Sequence, residues 1–381
     1  AVPAPGDLYA ALLASAPQVM MVACWLTMKE VSLMLGALAM EVPIDASDGV
    51  RDGVSTDDHG AGLLSMRQLE SLGEHFMTTL MTVKHNGAVE KTGVGFKALC
   101  ARMLRSPDAS HARLPRAWLE RLLGAVSRPG QSMDDVVRRS AGLPHAFMAL
   151  MHAEPESAPK VLLPFASDAL LALVEAPEVG ATDTGGGADA AAVPRVHAFN
   201  VLRVLYQDST LSVDASGGCA RVAAAALGAF SSGHWAVRNA AGMCFALLTR
   251  RMVGFANVHA AEGAPPARSA KAALTGFEFF QRRAPLHAAM RAQLADAVDA
   301  ASRASREANA HALPAPTGAI HPALGPCLML LTRLRASGLG EHANNELSPA
   351  RLAPLVARLC VCRDARVRQL AARALPPLLP G

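Results

Sequence analysis

The chain has 381 residues, a net charge of +4 and 51% hydrophobic residues, and 76 of its residues are alanine. Alanine favours helices and fits strands poorly, so the composition points to an all-α protein and argues against a β-sandwich core. The charge is mildly basic and permits a nucleic-acid partner without requiring one, while 3 Trp, 2 Tyr and 11 Phe are too few for sheet-type platforms that stack bases.

In chain order, apolar residues at helical spacing predict helices over residues 7–40 (as two helices), 64–85, 88–105, 114–127, 132–153, 159–175 and 194–207. Further helices are predicted over 217–230, 234–254, 274–281, 284–305, 320–336, 348–361 and 364–377. Pro194 suits a first helical turn and Asp364 suits an N-cap. Five stretches lack apolar periodicity and read as loops: 41–62, 177–192, 256–271, 306–319 and 337–348. They carry little apolar area to offset the entropy of ordering.

The pattern V-R-x-x-A occurs at Val137, Val237 and Val367, with a degenerate copy at Val196. The spacing from Val196 to Val237 is 41 residues. The other intervals approach multiples of about 42 once the Gly-rich insert is set aside, a period that belongs to HEAT and armadillo helix pairs. The whole of 1–381 therefore reads as a single α-solenoid of HEAT/armadillo-like helix pairs. It opens at Ala1 directly into a helical pattern, as expected of a fragment of a longer protein.

The seven cysteines are scattered and form no CxxC pair, so neither a disulfide framework nor a zinc site is expected; the thiols suit a reducing, cytoplasmic setting. The longest apolar run, residues 19–28, ends at Lys29 and Glu30 and is too short to cross a bilayer, so no transmembrane segment is expected. Phosphate-loop, dinucleotide, HExxH and nucleophile-elbow signatures are absent, and no catalytic residue, metal or cofactor is predicted.

One stretch opposes its own helical pattern: Arg138, Arg139, Ser140, Ala141, Gly142, Leu143 and Pro144. Gly142 and Pro144 both disfavour a regular helix, which predicts a kink and a freed Ser140 carbonyl. Arg138 occupies the arginine position of the repeat, where an inter-repeat hydrogen bond to a carbonyl or Asp is its structural duty. Arg139 has no such duty and is the better candidate for a partner. Asn200, Arg203 and Gln207 share a helix face, and Trp235, Arg238, Asn239 and Arg251 stand on a later helix. They read either as inter-helix polar ladders or as an extension of a basic ligand surface.

RRSAGLP at 138–144, HWAVRNA at 234–240, RVHAFNVLRVLYQDS at 195–209 and WLTMKEVSLMLG at 25–36 resemble the thyroid adenoma-associated protein (THADA) family and its fungal counterpart. The resemblance spans nearly the whole chain in the family's order. It implies a non-catalytic scaffold that partners an FtsJ-type tRNA 2′-O-methyltransferase for ribose methylation at position 32 of the anticodon loop, with tRNA as a second partner. It also implies that RRSAGLP is the activity-linked motif, carried here by residues 138–144. The alternative is a general HEAT-type protein-interaction scaffold without RNA contact, for example one acting on a membrane calcium pump. Arg139, Arg203 and Arg251 on one surface would favour the first.

Overall fold

The computed structural model describes residues 5–44, 63–128, 130–136, 140–177, 187–211, 216–253, 274–310, 320–338 and 345–380. Among them the structure is helical, with turns and three isolated β-bridges and no strand. Two compact units divide the chain, residues 1–169 and 170–381.

The first unit holds α1 (Pro5–Glu41), α2 (Met66–Thr82), α3 (Asn86–Leu104), α4 (Ala109–Ser127) and α5 (Leu143–Ala153). Helix α3 is its centre and packs on each of the other four. Its starts and neighbours are set locally. Ser65 and Gln68 form a capping box that begins α2, the His85 ring accepts from Ala88 N to begin α3, and Asp108 caps α4.

The crossing of α1 over α3 is a contact of small residues. A β-carbon on Gly36 would lie 2.7 Å from Gly95 Cα, and one on Gly95 would lie 2.3 Å from the Ser32 carbonyl oxygen. At this crossing Ser32 and Thr92 share a buried hydroxyl hydrogen bond of 3.0 Å. Below it Phe76, Phe96 and Trp118 form a chain of rings 6.0 and 5.7 Å apart at the centroids. Gly73 is required by the same cluster, because a β-carbon there would meet the Trp118 ring at 2.2 Å.

Helix α6 (Leu162–Glu175) runs through the division between the units. The second unit continues with α7 (Gly187–Gln207), α8 (Cys219–Ala229), α9 (Trp235–Val253), α10 (Gly276–Gln281) and α11 (Ala284–Ala310). It ends with α12 (Leu324–Leu331), α13 (Ala353–Leu359) and α14 (Ala365–Ala374). Helix α9 packs on α7 and on α8, α8 packs on α11, and α12 and α13 pack on α14. This side-by-side packing of helix pairs is that of an α-solenoid.

The described repeat positions read from sequence share the same burial. Val196, Val237 and Val367 are all buried, as are Asn200, Ala241 and Ala371 four residues later. The arginine between them is also explained. Arg238 Nη1 donates to the Ser232 and Gly233 carbonyls at 2.7 and 3.0 Å. Arg368 Nη1 donates to the Cys362 and Arg363 carbonyls, both at 2.8 Å. The partners are carbonyls, as expected, but they belong to the turn just before the arginine's own helix. In both cases the guanidinium ties a helix to its own entry turn.

Several boundaries differ from the sequence reading. Helix α1 is one helix with Pro17 inside it. The apolar character also continues past residue 28: the stretch Ala16–Glu41 is long and apolar enough to cross a membrane by length and composition. Within it Lys29 and Glu30 pair, and Ser32, Gly36 and Ala39 are buried, while most of the stretch, including Val19, Met20, Met21 and Met34, is exposed. Helix α7 begins at Gly187, so residues 187–192 of the expected loop are helical and Pro194 lies inside the helix. The alanine-rich run before the proline carries the helix through it, at the expense of one backbone hydrogen bond. Helix α11 likewise reaches Ala310, into the 306–319 stretch. Asp364 caps α14 as expected, accepting from Arg366 N and Val367 N. Of the remaining expected loops, 256–271 and residues 45–62, 178–186, 311–319 and 339–344 lie outside the described residues.

Candidate partner-binding site

The motif at 138–144 divides at the limit of description. Arg138 and Arg139, with Val137, lie outside the described residues, and Ser140 to Pro144 lie within them. The single helix expected over 132–153 is two elements: a 3-10 turn, Met133–Val136, and α5, which starts at Leu143. Between them Ser140 and Ala141 take φ values of +68° and +46°. Two successive left-handed residues with side chains are strained, by about 1–3 kcal/mol each, and persist only where the surroundings over-determine them.

Gly142 supplies that constraint. A β-carbon on it would fall 2.2 Å from the Leu80 carbonyl oxygen and 3.0 Å from Leu80 Cα, so the motif backbone is pressed onto the last turn of α2. Leu143 and Pro144 are buried behind it, and Ser140 is 4% exposed. Pro144 opens α5 in its first turn, where no N–H is needed, and Ala146 N donates to the Gly142 carbonyl at 3.0 Å. The expected kink is therefore a left-handed reversal followed by a new helix start. Ser140, Gly142, Leu143 and Pro144 are all buried in this reversal. His145, next in sequence, lies against Gly93, and burial lowers its pKa against the opposing charge of Glu90.

At the far end of α5 is an open cavity of about 690 Å³ lined by Lys97, Arg105, His152 and Glu154 among others. Its most enclosed charge is committed to structure: the Glu154 carboxylate accepts from the backbone N–H of Val161, Leu162 and Leu163 at 2.6, 2.8 and 3.3 Å, which caps α6. Among the described residues no group of three His, Cys, Asp or Glu is placed to hold a metal ion.

The other sequence candidates separate into two places in the second unit. Arg203, Gln207 and Arg251 come together: Arg203 Nη1 donates to Gln207 Oε1 at 3.4 Å, and Arg251 Nη1 donates to the Gln207 carbonyl at 3.3 Å. They meet where the C-terminal ends of α7 and α9 lie side by side. Trp235, Arg238 and Asn239 stand at the opposite end of α9, about 24 Å away at 1.5 Å rise per residue. There Trp235 is 69% exposed and Arg238 is committed to its entry turn. Asn200 is 3% exposed and belongs to the packed interface of α7.

Two basic residues escaped the sequence reading as site candidates. Arg282 and Arg283 turn the corner between α10 and α11, and Arg283 lies over the Phe279 ring at 4.8 Å. Their signal was an Arg-Arg pair followed by alanine and proline at a helix start. Burial lowers the pKa of Arg283, with Cys219 opposing and the neighbouring Arg282 adding to the effect. Cys219, at the start of α8, has its pKa raised by burial, with Arg283 and Arg251 opposing.

Repeated helix pairs with arginine-pinned turns define a helix-repeat protein. Two family models cover nearly all of the chain: "THADA/TRM732, DUF2428" matches residues 9–236, and "Trm732, C-terminal TPR repeats" matches residues 238–381. The chain belongs to the THADA/TRM732 family. The dog protein named tRNA (32-2'-O)-methyltransferase regulator THADA is 32% identical over 366 residues, which is 95% of this chain and 17% of the relative. The human protein of that name is 31% identical over 364 residues, with the same coverage. The fission-yeast tRNA (32-2'-O)-methyltransferase regulator trm732 is 24% identical over 313 residues, 82% of this chain and 19% of the relative. The chain thus spans about a fifth of the length of these relatives. No solved structure matches it.

Proposed function

We propose that this chain is a segment of a non-catalytic regulator that partners a tRNA 2′-O-ribose methyltransferase acting at position 32. The observation that carries the reading is the alignment of 95% of the chain with relatives named as regulators of that methyltransferase. The helix-repeat architecture supports it, because such arrays offer long surfaces to protein and nucleic-acid partners. In this reading the catalytic subunit is of the FtsJ type, the substrate position lies in the anticodon loop, and tRNA is the second partner. The free thiols, with Cys100, Cys244 and Cys327 buried, suit a cytoplasmic setting.

The test uses the full-length protein that contains this segment. Deleting its gene should remove ribose methylation at position 32 and leave other FtsJ-type sites methylated, and the full-length protein should co-purify with the methyltransferase. Unchanged methylation at position 32 in the deletion strain overturns the proposal. Loss of a calcium-pump phenotype without any change in tRNA would move the protein to the protein-interaction alternative.

A further inference from the structure

We propose that the outward face of α1 is an internal interface of the helix array, covered in the full-length protein by a further helix pair that lies outside residues 1–381. Helical spacing sets this face. Ser32 and Gly36 meet α3 at Thr92 and Gly95, and Ala39 is buried on the same side. Val19, Ala23, Leu26, Met34, Ala37 and Leu38 fall on one stripe about half a turn round the helix from these contacts. All six are exposed, Val19 by 64% and Met34 by 54%.

The polar groups on the stripe are satisfied within the helix. The Thr27 hydroxyl donates to the Ala23 carbonyl at 2.9 Å, and Glu30, the one charged residue between Val19 and Leu38 on this side, pairs with Lys29 at 3.0 Å. The face therefore offers apolar surface over about 28 Å of helix, at 1.5 Å rise per residue. Monomeric soluble proteins rarely leave so long an apolar patch in water.

A bilayer, a second copy or another helix of the array could cover such a face. Crossing a bilayer would require α1 to leave α3, which breaks the close Gly36–Gly95 contact and the buried Ser32–Thr92 hydroxyl pair. A second copy would seal the face in a closed pair and end the array at α1. A helix array instead continues by stacking, each pair burying its apolar face on its neighbours, and a terminal repeat carries a polar outer face. The α1 face has no such polar cover. Relatives of the family have the length to supply a neighbour, since this chain spans 17% of the dog and human proteins and 19% of the fission-yeast protein. The residue types fit a helical partner: Ala23 and Ala37 let a second backbone come close, and Met34 adapts to the side chains facing it. The assignment needs the family's length alone and stands apart from the methyltransferase reading.

The test compares the purified chain with the purified full-length protein, each carrying Met34→Cys and each held at a concentration where light scattering shows a monomer, without lipid. Alkylation at position 34 is followed by mass spectrometry of the peptides. It should be fast in the chain and about ten-fold or more slower in the full-length protein, because a covered thiol reacts only through local opening. Leu26→Glu should leave the melting temperature of the chain unchanged and lower that of the full-length protein by several degrees, since only there does it bury an unpaired charge. Equal labelling rates in the two monomers overturn the proposal, and so does a full-length Leu26→Glu variant that melts with the wild type. Protection of position 34 that appears in the full-length protein only on dimerisation makes a second copy the occupant. Protection that appears only with phosphatidylcholine vesicles makes a bilayer the occupant, and either result overturns the proposal.

Discussion

Gly142 sits so close to Leu80 that a β-carbon would fall 2.2 Å from the Leu80 carbonyl oxygen. Its φ is −83°, an ordinary value for any residue, so the glycine is required by backbone contact and not by conformation. Gly142→Ala should therefore destabilise the first unit by about 1–3 kcal/mol, the usual range for overpacking a filled contact. Chemical denaturation checks it. A variant as stable as wild type would mean that the end of α2 moves aside freely.

The arginines of the repeat should act through their turns. Arg238→Ala removes two hydrogen bonds to the Ser232 and Gly233 carbonyls and should cost about 1–2 kcal/mol. Arg368→Ala should cost less, because both of its bonds are exposed. Melting temperatures of the two variants provide the comparison. Equal and negligible effects would show that water replaces the guanidinium without loss.

By sequence register Arg138 takes the place of Arg238 and Arg368, and Arg139 is the residue beyond it. Arg138→Ala should lower stability, whereas Arg139→Ala should leave it within about 0.5 kcal/mol and lower position-32 methylation. Paired melting and methylation measurements separate the roles. If Arg139→Ala unfolds the protein and Arg138→Ala alone lowers methylation, the roles are reversed.

Stability should fall on mild acidification. His287 is 4% exposed, lies edge-on to Phe280, and has Nε2 3.3 Å from the Ser348 carbonyl oxygen. Burial lowers its pKa, the Ser348 carbonyl opposes this, and Arg291 and Arg351 add to it. Burial lowers His321 as well, against Asp296. Above pH about 6.5 these rings are neutral in both folded and unfolded chains, so stability is flat there. Below it the unfolded chain binds protons that the folded chain refuses, and stability declines until the folded pKa is reached. The denaturation midpoint should be lower at pH 5.5 than at 7.5, and His287→Gln should reduce that difference. Equal midpoints would contradict the assignment.

The thiols should separate by burial. Cys244 and Cys327 are pushed up to about 12 by burial, and Cys100 is also raised well above its usual value. Cys24 is exposed. Brief alkylation of the folded protein at pH 8 should label Cys24 and leave the other three unmodified until denaturant is added. Mass spectrometry of the peptides reads this directly, and early labelling of Cys244 would show that α9 opens readily.

Helical periodicity, the alanine content and caps such as Asp364 were legible in the sequence because they depend on neighbours within a turn or two. The V-R-x-x-A spacing was legible for the same reason: burial of Val237 and Val367 repeats with the helix pair. Even the arginine's carbonyl partners lie only five or six residues away. Contacts across long sequence distances were not legible. That Gly142 touches Leu80, that Gly36 crosses Gly95, and that Arg251 reaches Gln207 follow from packing, which no local pattern encodes. The left-handed turn at Ser140 and Ala141 is of the same kind. Gly142 and Pro144 announced an interruption, but only the seating of the backbone on α2 decided its geometry, because strain of this size survives only where tertiary contacts hold it.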